Sequence, residues 1–153
     1  MKSDTRQRAR QQLDSRLSSL KPEAQFAVPP RGWIRAIRDA LGMSGVQLAS
    51  RLGVRPQTVE LIEKSEAGNT IQLKTLQRAA AALDCTLVYA LVPRTSLEDA
   101  VHRRARALAA RALERVGHTM KLEAQGVDAA NLDKRIDDYI RDVLKDRDIW
   151  NEP

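Results

Sequence analysis

Aromatic residues make up only 3% of this 153-residue chain: two Trp, two Tyr and one Phe. Any interior must therefore be built from Leu, Ile, Val and Ala, a mix that favours helices. A single cysteine, Cys85, excludes an intramolecular disulfide framework. The two histidines, His102 and His118, have no cysteine or carboxylate cluster at ligand spacing, which argues against a metal site. No apolar run reaches the roughly 18 residues of a membrane helix, and none at the N-terminus resembles a signal peptide. The expectation is a soluble cytoplasmic protein. There is also no phosphate-cradling glycine-rich loop, no nucleophile elbow, and no nucleophile partner for either histidine. Neither catalysis nor a cofactor is expected.

What the chain does have is basic charge. Lys and Arg number 26 against 20 Asp and Glu, a net of +6, with a pI near 9.9. This balance suits a polyanionic partner. The excess is uneven. Residues 1–30 carry 6 basic and 3 acidic side chains, residues 31–94 carry 9 and 5, and residues 95–153 carry 11 and 12.

The pattern predicts four regions: an N-terminal arm over 1–30, a helical domain over 31–85, a strand region over 86–94 and a helical tail over 95–153. In the arm, Leu13, Leu17 and Leu20 fall at helical spacing, with too little apolar surface for the helix to stand alone. "KPEAQFAVPPRG" then breaks the helix with three prolines. From Trp33 a helical face of Trp33, Ile34, Ile37, Ala40 and Leu41 ends near Gly42. Ser44 N-caps a second helix carrying Val46, Leu48, Ala49 and Leu52. Pro56 opens a third helix, held to the core by Val59 and Ile62. A fourth runs from about Gln72 to Leu83, with Leu73, Leu76, Ala79, Ala80 and Leu83 inward. "TLVYALVPR", Thr86 to Arg94, reads as the chain's single strand. Its unpaired backbone predicts pairing of Leu87, Val88, Tyr89, Ala90, Leu91 and Val92 with a second copy around a two-fold axis. In the tail, Thr95 and Glu98 form a capping-box pattern. Leu97, Val101, Ala105, Leu108, Ala112 and Val116 make one apolar stripe, and Leu132, Ile136, Ile140 and Leu144 make another. The terminal "DIW" ends in an aromatic that needs a docking place.

"LASRLGVRPQTVELIEK", Leu48 to Lys64, is the informative stretch. Two short helices joined through Gly53 form a helix-turn-helix pattern. Ala49 stays small under the crossing helix, Gly53 permits the turn, and Val54 plugs the space beneath it. The residues left at the start of the second helix, Arg55, Gln57 and Thr58, suit entry into a DNA major groove.

"LGMSGVQLASRLGVRPQTVELIEKSEAGNTIQLKTLQRAAAALDC" resembles the helix-turn-helix domain of the xenobiotic-response-element (phage repressor and Cro-like) family over roughly Trp33 to Thr86. The chain departs from the family where many members carry a phosphate-touching Gln near Gly45 and a Ser or Thr cap at Arg55. Glu60 would repel phosphate unless it points to a cytosine amino group or a neighbouring Arg. A second resemblance, carried by "RQQLDSRLSSL", "PPRGWIRAIRDALGMS", "LVYALVPR", "HTMKLEAQGV" and "DIW", is to the bacterial family called mobile mystery protein A. It implies a mobile-element protein encoded beside a Fic-domain partner, acting as antitoxin and operon repressor.

The expectations are then concrete. Base reading falls to Arg55, Gln57, Thr58 and Leu61. Gln57 matches adenine bidentately, Arg55 reaches guanine or a phosphate, and Leu61 meets a thymine methyl or lies in the core. Phosphate contacts fall to Ser44, Gln47, Lys64, Asn69, Thr70 and Lys74. Partners are a palindromic double-stranded operator, a second copy of the chain and a Fic-domain toxin. Ser19–Glu23 and Thr119–Glu123 have part of the spacing of Fic-inhibiting motifs, and Thr119 and Glu123 are the better placed. The alternative is a plain dimeric repressor with no toxin partner. The fold expected is mainly α: a helix-turn-helix bundle, one β-strand paired across a dimer, and a C-terminal helical region.

Overall fold

The computed structural model describes residues 2–120, 129–145 and 147–151. The chain divides into two compact units: Lys21–Leu91, and Met1–Leu20 together with Val92–Pro153.

The central unit holds a one-turn 3-10 helix, Glu23–Phe26, and four α-helices. These are α2 (Trp33–Ala40), α3 (Gly45–Leu52), α4 (Pro56–Ala67) and α5 (Leu73–Ala82). Their shared core is Ile34, Leu48, Ala49, Val59, Ala79 and Leu83, with Ile37, Leu52, Val54, Ile62 and Leu76 packed around it. Leu48 and Val59 are almost wholly enclosed, and each such burial stabilises by about 1.5–3 kcal/mol. Several apolar residues expected inward are exposed instead: Trp33, Leu41, Val46 and Leu73. In α3 the buried positions are Leu48 and Ala49. A helix turns about 100° per residue, so Val46 points to the opposite side from Leu48.

The α3–α4 turn forms as its residue types require. Gly53 takes a left-handed conformation (φ 68°, ψ 33°) at the C-cap of α3, a region where a Cβ is penalised. Val54 N–H then donates to Ala49 O at 3.0 Å, and Val54 is half-buried. Arg55 follows with extended backbone, and Pro56 starts α4 where its missing N–H goes unneeded.

The expected strand is absent: no strand occurs among the described residues, and 86–93 carry no regular structure. A strand exists only through backbone pairing. Among the described backbone hydrogen bonds none engages 86–93, so the β-rich composition has no pairing partner among the described residues. The mainly helical class stands, without its β component.

The terminal unit contains α1 (Lys2–Ser18), α6 (Leu97–Met120) and α7 (Ala129–Asp142). The N-terminal helix is thus not a separate arm, because α1 packs on α6. The Asp14 carboxylate accepts from Leu97 N–H at 2.7 Å and Glu98 N–H at 3.2 Å, capping α6 from another helix. Arg10 donates to Glu98 from Nε at 2.7 Å. Ser96, and not Thr95, is the local cap, its Oγ accepting from Asp99 N–H at 2.9 Å. The Glu98 carboxylate is instead engaged by Arg10, and its N–H by Asp14. Ala105 and Ala109 of α6, Ile136 of α7 and Ile149 are the buried apolar residues here. In the terminal "DIW" the residue that docks is Ile149, while Trp150 stays 60% exposed. Arg104 fixes that turn by donating to the carbonyls of Ile149 (3.0 Å) and Asn151 (3.2 Å).

Candidate nucleic-acid interface

The interface is built on α4, and α4 is held by its own acidic residues. Val59, Glu63 and Glu66 are its buried positions, spaced four and three residues apart and so on one helical face. Buried carboxylates need partners, and both have them. Glu63 receives Arg38 of α2 at two points, Nε to Oε1 at 2.6 Å and Nη2 to Oε2 at 3.3 Å. Arg38 also donates to Met43 O at 2.8 Å, tying the α2–α3 connection to the same clamp. The Glu63 hydrogen bond is the main reason Arg38 is held above the ordinary arginine value. Glu66 accepts from the backbone N–H groups of Trp33 (2.8 Å) and Ile34 (2.9 Å). It thereby caps α2, whose own N-cap residue is Gly32 with no side-chain cap.

This arrangement decides what α4 presents to solvent. Gln57, Glu60, Leu61 and Lys64 are exposed, and Gln57, Leu61 and Lys64 form a stripe by their spacing of four and three. Leu61 is 65% exposed and so is not a core residue. Arg55 is exposed at the N-cap of α4, and its donor-only guanidinium has no acceptor among the described residues. Thr58 is half-buried, its N–H donating to Arg55 O at 2.9 Å.

The expected phosphate group occupies two places in the same unit. At the start of α3, Ser44 and Gln47 close a reciprocal capping box, Gln47 N–H to Ser44 Oγ at 3.2 Å and Ser44 N–H to Gln47 Oε1 at 2.7 Å. Both side chains are exposed, and the Gln47 amide nitrogen still faces outward chemistry as a donor. After α4, Asn69 adopts a left-handed φ of 57°, and Thr70 N–H returns to Ser65 O at 2.8 Å. Asn69, Thr70 and Lys74 are exposed. Lys64 belongs to the α4 stripe itself.

Residues 34–89 match the helix-turn-helix family model. This segment is a helix-turn-helix domain. The family is one of DNA-binding transcriptional regulators, and the domain spans α2 to α5 with the segment behind them. The terminal unit lies outside the match. No curated protein and no solved structure matches the chain, so the full-length resemblance to mobile mystery protein A gains no support from these comparisons. No helix among the described residues is long and apolar enough to cross a membrane.

Of the remaining expected residues, Leu87 and Val92 are half-buried, and Val88, Tyr89, Ala90 and Leu91 are exposed, Leu91 at 88%. Glu123 lies outside the described residues, and for Thr119 only the helical backbone is described. The residues that the sequence reading missed are Gly32, Arg38, Glu63 and Glu66. The signal was available. Glu63 and Glu66 fall on the same helical face as Val59, where a carboxylate implies a buried partner.

Proposed function

We propose that this protein is a sequence-reading DNA-binding regulator that acts as a homodimer on a palindromic operator. The observation that carries this reading is the division of α4. Two of its three carboxylates, those of Glu63 and Glu66, are withdrawn into the core, while Glu60 stays exposed beside the outward stripe of Gln57, Leu61 and Lys64. A groove-entering helix presents donors and apolar contacts, and withdrawing two of three carboxylates reduces the negative charge it brings to phosphate. In this reading Gln57 bonds an adenine edge, Arg55 and Thr58 serve neighbouring bases, and Leu61 meets a thymine methyl. Ser44, Gln47, Lys64, Asn69, Thr70 and Lys74 hold the backbone. Dimerisation through Leu87–Val92 would set the two α4 helices about 34 Å apart, one helical turn of DNA. Support for it is the segment's exposed apolar residues and its lack of backbone partners among the described residues.

The test is fluorescence-anisotropy titration against the DNA upstream of the protein's own gene and a scrambled duplex, at one near-physiological salt. A preference of about a thousandfold or more is expected. Gln57→Ala should lose about 1–3 kcal/mol on the preferred site and little on the scrambled one. Equal, weak binding of the wild type to both would overturn sequence reading.

A second reading adds an antitoxin role toward a Fic-domain toxin. It rests on the sequence resemblance and on one further observation: a compact terminal unit lies outside the helix-turn-helix match. Co-purification with a Fic-domain protein encoded beside the gene, and loss of that protein's nucleotide-transfer activity in the complex, would support it. Full activity in the presence of excess chain would leave the plain repressor.

A further inference from the structure

A polar cleft of ≈ 410 Å³ runs beside α4, lined by Arg31, Arg35, Glu60, Glu63, Lys64 and Ala67. Its walls carry three cations. Of its two carboxylates, Glu63 is already held by Arg38. Arg35 Nε is sealed from solvent and makes no hydrogen bond, and its ion pair with Asp39 is long, at 3.7 Å. The Arg35 side chain as a whole is still 41% exposed, so its terminal guanidinium nitrogens are open to an anionic oxygen entering the cleft. Arg31 and Lys64 are exposed and have no ion pair among the described residues. The cleft is therefore a place for an anion.

Continuity identifies the anion. Lys64 is at once a wall of this cleft and the last member of the exposed stripe of α4. Whatever fills the cleft lies next to whatever the stripe enters. If α4 enters a major groove, the neighbouring anion is the sugar–phosphate backbone along the groove's edge.

We propose that Arg31 and Arg35, together with Lys64, form a clamp for a DNA phosphate beside α4. The proposal rests on the DNA-binding reading and extends it to two arginines that no motif singles out. The planar fork of Arg35 is suited to a phosphate, with two parallel N–H donors. Arg31 adds charge from the segment before α2. Glu60 borders the same cleft and opposes the phosphate, so the clamp works against one carboxylate.

The experiment is the salt dependence of binding of the full chain to the preferred and scrambled duplexes, for wild type, the Arg31→Gln/Arg35→Gln double variant, and Glu60→Gln. The double variant should bind both duplexes at least about tenfold more weakly, and its log K against log salt slope should be shallower by about 1.8, or about 0.9 per lost contact. The ratio between duplexes should stay within about twofold. Glu60→Gln should tighten binding to both. Arg31→Gln alone, at an exposed position, should give about half the slope change, and it decides the matter if Arg35→Gln loosens α2. An unchanged slope in a variant chain, with normal wild-type binding, removes the clamp and leaves the DNA-binding reading standing. A loss confined to the preferred duplex also overturns the clamp. Failure of the wild type to bind either duplex overturns both.

Discussion

The carboxylate of Glu66 fills the space that a side chain at position 32 would need: a Cβ on Gly32 would lie 2.6 Å from Glu66 Oε2. Gly32 also has a φ of 84°, where side chains are strained. Gly32→Ala should therefore displace the Glu66 cap and strain the backbone together, lowering stability by about 2–4 kcal/mol. Urea unfolding followed by circular dichroism reads this directly. An unchanged midpoint would mean that the Glu66 side chain swings aside freely and caps nothing of consequence.

The Arg38–Glu63 pair sits at 11% and 8% side-chain exposure. Removing Glu63 leaves Arg38 buried with only its ion pair to the exposed Asp39 at 2.9 Å, so Glu63→Ala should destabilise by up to about 3–5 kcal/mol. Replacing both, as Arg38→Met with Glu63→Leu, should recover most of that loss, the remainder coming from the abandoned Met43 carbonyl. The pair contributes no pH dependence in the working range from the arginine side. Arg38 is raised by its Glu63 hydrogen bond, so that stabilisation is present below the ordinary arginine value and lost only at still higher pH. If the double variant is as unstable as Glu63→Ala alone, the defect is one of packing and not of unpaired charge.

Ser44 has one role in the fold and one proposed in binding, and two substitutions separate them. Ser44→Ala removes the cap and should cost about 1 kcal/mol of stability. Ser44→Asp retains a good cap but sets a negative charge where a phosphate is proposed to lie. The expected result is near-normal melting with DNA binding weakened on every sequence. Normal binding by Ser44→Asp would remove Ser44 from the phosphate contacts.

Leu91 and Tyr89 are exposed apolar residues in a segment with no backbone partner among the described residues. Leu91→Asp should shift the protein toward monomer in sedimentation at micromolar concentration and weaken binding to a full operator more than to a half-site. A wild type that is monomeric under these conditions would remove the segment from the dimer interface.

The helix-turn-helix was legible because its determinants are local: a glycine at the turn, a proline at the first helical position, and apolar residues at fixed spacing around them. What escaped were contacts between distant positions. Glu66 caps a helix that starts 33 residues earlier, and Asp14 caps one that starts 83 residues later. Capping rules read a few neighbouring residues, and both acceptors lie on other helices. At the start of α6 two overlapping patterns competed, Thr95 with Glu98 and Ser96 with Asp99. The engagement of Glu98 by Arg10, invisible locally, coincides with the second. The strand was misread for a related reason. Composition at 86–93 gives β-propensity, and a strand also needs a neighbour.

Asp14 and Arg10 near the beginning of the chain hold Leu97 and Glu98, which are made only after the whole of the central unit. A growing chain therefore emerges with α1 unable to dock until the ribosome has finished the helix-turn-helix domain and begun α6. The α4 surface proposed to enter the groove is complete first, and the unit that encloses it in sequence closes afterwards. Deletion of α1 and deletion of α6 strike that same late-closing unit, so the two should produce one shared defect.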